Sequence, residues 1–150
     1  MFTIRKISNE NEFKPDLNKQ KFVDFLYLHL GEFGDSKTAI GNSIDYVFSS
    51  AEGKGGFLLA AYEDSQLIGA LVMIRTGMVE YIPENLLVYV AVDSKQRGKG
   101  YGRKIVEKAI GLSDGNVSLH VEYENPAKRL YERIGFTNKY AEMRFKKEQQ

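Results

Sequence analysis

Apolar and polar residues alternate through Phe2-Thr3-Ile4-Arg5-Lys6-Ile7, the period of a half-buried strand. The period then lengthens. From Asp16 to Leu30 the apolar residues Leu17, Phe22, Val23, Phe25, Leu26 and Leu30 recur at helical spacing, and Gly31 and Gly34 follow as stop signals. Asp35 or Ser36 supplies a cap for a second helix to about Ser49, with Ile40, Ile44, Val47 and Phe48 along one face. Two apolar runs, FLLAAYE and QLIGALVMIRTG, read as a hairpin turning at Asp64 and Ser65. After a connection containing Pro83, LLVYVAVD is the most apolar strand and is expected at the centre of the sheet.

A glycine-rich turn then leads into a helix from about Tyr101 to Leu112. Beyond the turn SDGN, VSLHVEY alternates as a strand over 117–123, with Val117, Leu119 and Val121 on one face. NPAKRLYERIGF reads as a short helix with Asn125 as cap, Pro126 in the first position and Gly135 at the stop. YAEMRFKK, residues 140–147, closes as a polar-alternating strand before a frayed tail. The order β-α-α-β-β-β-α-β-α-β predicts a mixed sheet with helices packed on it, an α/β (or α+β) layered fold in a single domain spanning 1–150.

Composition narrows the chemistry. The chain has 150 residues, no cysteine, two histidines and a formal net charge of +1. Thiolate metal sites and cysteine nucleophiles are excluded, a histidine-built metal site is not expected, and nothing in the overall charge points to nucleic acid or an anionic membrane. The start lacks the cationic and apolar regions of a secretory signal, and no apolar run approaches the roughly 18 residues of a membrane span, so a soluble cytoplasmic protein is expected.

The candidate chemistry sits in VDSKQRGKGYGRK, where Gly98, Gly100 and Gly102 stand at every second position within a cluster of cations before a helix. Unpaired N–H groups at a helix start, the aligned peptide dipoles and glycines without a Cβ together suit a phosphate or pyrophosphate. Lys95, Arg97, Lys99 and Arg103 add charge. A flexible, solvated basic turn is the competing reading. The pattern GxxxxGK[ST] is absent, and a dinucleotide GxGxxG would need glycine where Arg103 stands, although Glu122 could still mimic a ribose-binding acid.

The stretch from Val90 to Gly102 resembles motif A of the GCN5-related N-acetyltransferases (the GNAT superfamily), with Arg97, Gly100 and Gly102 on its R-x-x-G-x-G core. ENPAKRLYERIGF resembles motif B of that family, with Ala127, Leu130, Tyr131, Gly135 and Phe136 at matching offsets. Asn125 stands one residue nearer to Tyr131 than is common there. The element order also resembles the family along the whole chain, which implies a mostly antiparallel mixed sheet flanked by helices.

The resemblance implies acetyl-CoA as cosubstrate and no metal. Its pyrophosphate would lie on backbone amides around Arg97, Gly98, Lys99, Gly100, Tyr101 and Gly102, with Gln96 and Lys99 assisting. Its pantetheine arm would follow Val90, Ala91 and Val92, with Val90 and Val92 pairing through the main chain, and would meet Asn125. The resemblance also implies that Tyr131 protonates the departing sulfur, against the simpler reading of Tyr131 as a core aromatic.

Acetyl transfer needs a deprotonated amine, a donor for the oxyanion and protonation of the thiolate. On a strand 117–123, Ser118, His120 and Glu122 share a face. His120 matches the position that carries a glutamate base in the family's ribosomal-protein alanine acetyltransferases, and its ordinary pKa suits proton transfer near neutrality. Glu122 and Glu84 are the other candidates, and deprotonation through water is the alternative to any single base. Glu32, Asp35, Glu80 and Glu84 would make the acceptor side acidic, unless they are ordinary solvated charges. Tyr27, Phe33 and Tyr81 line a wall or join the core, and His29 reads as structural.

The expected activity is direct acetyl transfer to a primary amine in a ternary complex. The expected acceptor is a small molecule in preference to a protein N-terminus or lysine, without nucleic acid or membrane as partner and with a homodimer left open. A non-catalytic acyl-CoA sensor is the alternative of a different class.

Overall fold

A computed structural model describes residues 1–13 and 15–148. Strand β1 (Phe2–Ile7) is followed by helices α1 (Lys19–Leu30) and α2 (Lys37–Phe48), then β2 (Gly56–Glu63), β3 (Gln66–Arg75) and β4 (Asn85–Val92). Helix α3 (Tyr101–Leu112), strand β5 (Val117–Leu119) and helix α4 (Ala127–Ile134) complete the regular structure. The chain divides into two units, 1–119 and 120–150, each described by itself.

In the first unit the sheet order follows the chain, β1-β2-β3-β4-β5. The first three pairings are antiparallel and β4–β5 is parallel, with α3 as the crossover. The sheet is mixed and mostly antiparallel, as expected. β3, not β4, holds the middle position in this order. Every other residue of β4 remains half-buried, whereas Ile68 to Met73 of β3 and Phe57 to Ala61 of β2 are buried without a break. An unbroken buried run means that both faces of the sheet are covered.

Helices α1 and α2 cover one face. Phe22, Val23, Leu26, Ile40, Ile44 and Val47 pack there with Leu58, Ala60, Ala70, Val72, Tyr89 and Ala91. Helix α3 covers the other with Ile105, Val106 and Ala109, and seats so closely that a Cβ on Gly69 would lie 2.5 Å from Ile105 Cδ1. The helix starts follow their caps. Asn18 accepts from the Lys21 N–H, so α1 begins at Lys19 and not at Asp16, and Ser36 accepts from the Ala39 N–H to start α2. Asp64 and Ser65 both adopt positive φ in the β2–β3 turn, the twist a two-residue hairpin demands.

β5 is shorter than expected. It pairs Val117, Ser118 and Leu119 with Asn85, Leu86 and Leu87 and then ends, so His120 and Glu122 do not lie on a strand and both are exposed. Its start is clamped to β4 by polar groups. The buried Asn85 side chain donates to the Asp114 and Asn116 carbonyls at 2.6 and 3.2 Å, and its N–H donates to the Asn116 carbonyl. The Glu84 carboxylate accepts from the Asn116 N–H and fills the space that a Cβ on Gly115 would occupy.

In the second unit Asn125 accepts from the Ala127 N–H at the start of α4, and Gly135 follows the helix with φ +128°. Pro126 is the residue before the first helical position, one place earlier than expected. The strand expected at 140–147 is not formed. Tyr140, Met143 and Phe145 are exposed there, and alternation without a paired neighbour does not make a strand.

Because the buried Asn85 side chain donates to two carbonyls of the turn before β5, Asn85→Ala should destabilise the fold by about 2 kcal/mol, roughly 1 kcal/mol for each hydrogen bond lost. Chemical denaturation checks this, and a loss below about 0.5 kcal/mol would deny Asn85 the role.

Candidate active site

The first unit places a break in the sheet beside the glycine loop. Before the break, the Asn85 N–H points to the β5 side. Asp93, eight residues later, donates its N–H at 2.8 Å to Ile68 immediately before the paired stretch of β3, on the opposite edge. In a regular strand residues an even number apart face the same edge, so one extra residue lies between them. The register locates it: Met73 pairs with Leu87 and Val72 with Tyr89, leaving Val88 over. Val88 and Tyr89, successive in sequence, both pack toward α1 and α2, as a bulge requires.

Two consequences follow for β4. The ladder with β5 stops at Leu87, and beyond it the outer edge carries no strand among the described residues. The bulge also reverses the parity, so Val90 and Val92 turn their N–H and C=O groups to that open edge while Ala91 faces β3. The open edge runs straight into the glycine loop.

A short 3-10 turn, Ser94–Gln96, leads through Gly98 and Gly100 to α3. Both glycines hold φ near +80°, where L side chains are strained, and Gly100 is the residue from which α3 starts. The Lys104 N–H closes the first helical bond on the Gly100 carbonyl. Among the described residues the amides of 98–103 donate to no protein acceptor, as expected for a loop and first helical turn. Gly102 lies within that first turn.

The cationic side chains have other partners. Arg97 donates from Nη2 to the His29 carbonyl at 2.6 Å and from Nε to the Val92 carbonyl at 3.3 Å, tying the loop to the end of α1 and to β4. Lys99 bonds Gln96 and Arg103 pairs with Glu107. Tyr101 stacks on Phe2 and donates to Glu63 at 2.7 Å, so its side chain is committed within the protein and its backbone N–H alone remains open.

His29, expected to be structural, is also part of this constellation. Its Nδ1 accepts from the Ser94 N–H at 3.3 Å, and its ring packs on Phe25. Burial and then the Arg97 charge lower its pKa below 6.5, with Asp93 opposing them. An imidazolium carries a proton on Nδ1 and cannot accept this bond.

Glu84, with its carboxylate on the Asn116 amide, serves the turn before β5 at the closed end of the β4–β5 pair. In the second unit Tyr131 is buried, its ring meets Phe136 edge-on at 5.8 Å, and burial pushes its phenol up to about 12. Asn125, His120 and Glu122 belong to the same unit as Tyr131. Among the described residues no group of His, Asp or Glu is placed to hold a metal ion, and no helix is long and apolar enough to cross a membrane.

The acetyltransferase (GNAT) domain model matches residues 54–138, which is more than half of the chain and includes the bulge, the loop and α4. The chain belongs to the GNAT acetyltransferase family. Solved structures share the GNAT fold at low sequence identity. An aminoglycoside N-acetyltransferase, AAC(6')-Iy, in complex with CoA superposes with a TM-score of 0.69 at 14% identity, covering 98% of this chain and 95% of that one. A GNAT-family acetyltransferase from Desulfovibrio desulfuricans gives 0.68 at 19% identity over 91% and 86%. A ribosomal-protein-alanine N-acetyltransferase from Brucella melitensis biovar Abortus 2308 gives 0.63 at 15% identity over 97% and 99%. No curated protein sequence matches the chain.

The His29 contact makes stability depend on pH in a definite direction. Its folded pKa is depressed, so the stability it contributes is present above 6.5 and is lost as pH falls through the folded value. Denaturant midpoints measured from pH 7.5 down to 5 should fall more for the parent than for His29→Gln; parallel curves would remove His29 from the loop. Gly100→Ala should cost about 1 kcal/mol of stability, because alanine is strained at φ +82°. Calorimetric titration with CoA should show its affinity reduced roughly tenfold, and undiminished affinity would contradict a binding role for the loop.

Proposed function

We propose that this chain is an acetyl-CoA-dependent N-acetyltransferase that passes the acetyl group directly to a primary amine of a small molecule. One observation carries the reading: the amides of 98–103, without a protein acceptor among the described residues, continue into the edge of β4 beyond its pairing with β5. A diphosphate accepts from the former, and an amide-bearing arm pairs with the backbone of Val90 and Val92 as an added strand would. Those are the chemical parts of CoA, and the residues fit it. That an AAC(6')-Iy structure of this fold holds CoA supports the same assignment. When bound, acetyl-CoA supplies an activated thioester.

The remaining residues take roles by their chemistry. Lys99 and Gln96 flank the phosphate position as solvent-exposed or half-exposed groups, whereas Arg97 ties the loop to the His29 and Val92 carbonyls. Tyr131, with its pKa near 12, keeps its proton at neutral pH and is assigned as the donor to the sulfur. Asn125 is assigned to the arm. Glu84 is committed to a backbone amide, so amine deprotonation is assigned to His120 or to water ahead of Glu84 and Glu122.

Thiol release from acetyl-CoA, screened against amines, polyamines, amino acids and peptides, tests the activity. Release that depends on a small amine is expected. Release only with peptides would move the acceptor to protein, and none with any acceptor, despite tight CoA binding, would replace catalysis by sensing. Tyr131→Phe should lower kcat by roughly a hundredfold, the low end for losing a general acid, with acetyl-CoA KM nearly unchanged. Steady-state kinetics decide it, and an unchanged kcat would take Tyr131 out of the reaction.

A further inference from the structure

The bulge carries a second feature, on the face toward α1 and α2. Tyr89 follows Val88 on β4 and is buried, yet its hydroxyl reaches the exposed connection ahead of α2 and donates to Asp35 Oδ2 at 2.6 Å. A core residue thus fixes a surface carboxylate above the point where the β4 edge opens. Burial, together with the carboxylate itself, holds the Tyr89 phenol far above its ordinary range, so it remains a donor at any pH the protein meets.

Asp35 has no cation of its own among the described residues. The lysine nearest in sequence, Lys37, is committed elsewhere. Its Nζ pairs with Asp24 at 3.0 Å and lies over the Tyr27 ring at 5.2 Å from the centroid. One oxygen of Asp35 is anchored by Tyr89, and among the described residues no side-chain cation pairs with the carboxylate. A carboxylate held by a neutral donor from below and left without a counter-ion above is matched by a ligand ammonium.

Position says which ligand. The open edge runs from Val92 back to the bulge, about 13 Å at roughly 3.3 Å per residue. An arm laid along it from the glycine loop therefore delivers its reactive end beside Val88 and Tyr89. An amine that attacks there must be neutral, and a carboxylate paired with the reacting nitrogen would favour its protonated form. Asp35 suits a second, non-reacting cation on the same molecule.

We propose that Asp35, positioned by Tyr89, is the specificity-determining residue of the acceptor site, and that the acceptor is a primary amine bearing a second ammonium group, such as a diamine. This rests on the acetyltransferase reading above and names the substrate class for the same site. The notable juxtaposition is that one residue, Tyr89, both follows the bulge that opens the cofactor edge and fixes the acceptor's counter-charge.

The test compares 1,5-diaminopentane with pentylamine on the CoA-loaded protein by calorimetry, in parallel with their kcat and KM as acceptors. The parent should prefer the diamine at least tenfold in Kd and KM. Asp35→Asn should abolish that preference by raising the Kd and KM of the diamine at least tenfold, with CoA affinity retained. Tyr89→Phe, which keeps the ring in the core and frees the carboxylate, should lose part of the preference. Equal binding of both amines by the parent, or a preference that survives Asp35→Asn, overturns the proposal. Diamine preference in binding without turnover of either amine would sustain the Asp35 site and count against catalysis. Failure of CoA to bind would overturn the acetyltransferase reading and, with it, this assignment.

Discussion

The constraint on which the site depends is the extra residue Val88 in β4. A strand between two partners must present alternate amides to each. By inserting one residue, β4 stops pairing with β5 at Leu87 and turns Val90 and Val92 toward an edge that no strand occupies among the described residues. Without it, the buried polar clamp of Asn85 and Glu84 on the turn before β5 would start a parallel ladder free to continue. The clamp holds the two strands together at one end, and the bulge lets the pairing lapse at the other. The open edge is thus a product of register and not of a missing segment.

The glycine loop completes the constellation by the same economy of backbone groups. Its charge is less direct than its composition suggests. Arg97 spends its guanidinium on the His29 and Val92 carbonyls, Lys99 bonds Gln96 and Arg103 pairs with Glu107. The amides of 98–103 are left as the donors, with the α3 dipole behind them. The side-chain nitrogen of His29 holds the Ser94 amide at the entrance to this loop, and its carbonyl takes Arg97. The end of α1 is therefore bound to the glycine loop and the end of β4, while the connection that follows carries Asp35 onto Tyr89.

Much of this was legible in the chain. Periodicity located both early helices, the hairpin at Asp64-Ser65 and α3, because each has a cap or turn residue at its boundary. The glycine loop was legible because positive φ leaves few residues other than glycine. The bulge was not. Leu86 to Val92 is apolar at every position, so a one-residue slip in the facing pattern leaves no mark. Strand lengths failed for a related reason. VSLHVEY and YAEMRFKK alternate convincingly, but a strand ends where its partner's ladder ends, and that depends on β4. His29 gave no signal either, since an acceptor for a distant backbone amide looks like any histidine on an apolar helix.

The most direct measurement follows individual backbone amides by NMR as CoA is titrated into the protein. The account predicts saturable shifts and slowed hydrogen exchange at Val90 and Val92 and at residues 98–103, with Ala91 and Asp93, which already bond β3, little changed. Saturable CoA binding that leaves the amides of 98–103 and Val90 unmoved, or that perturbs Ala91 in place of Val90, would contradict it.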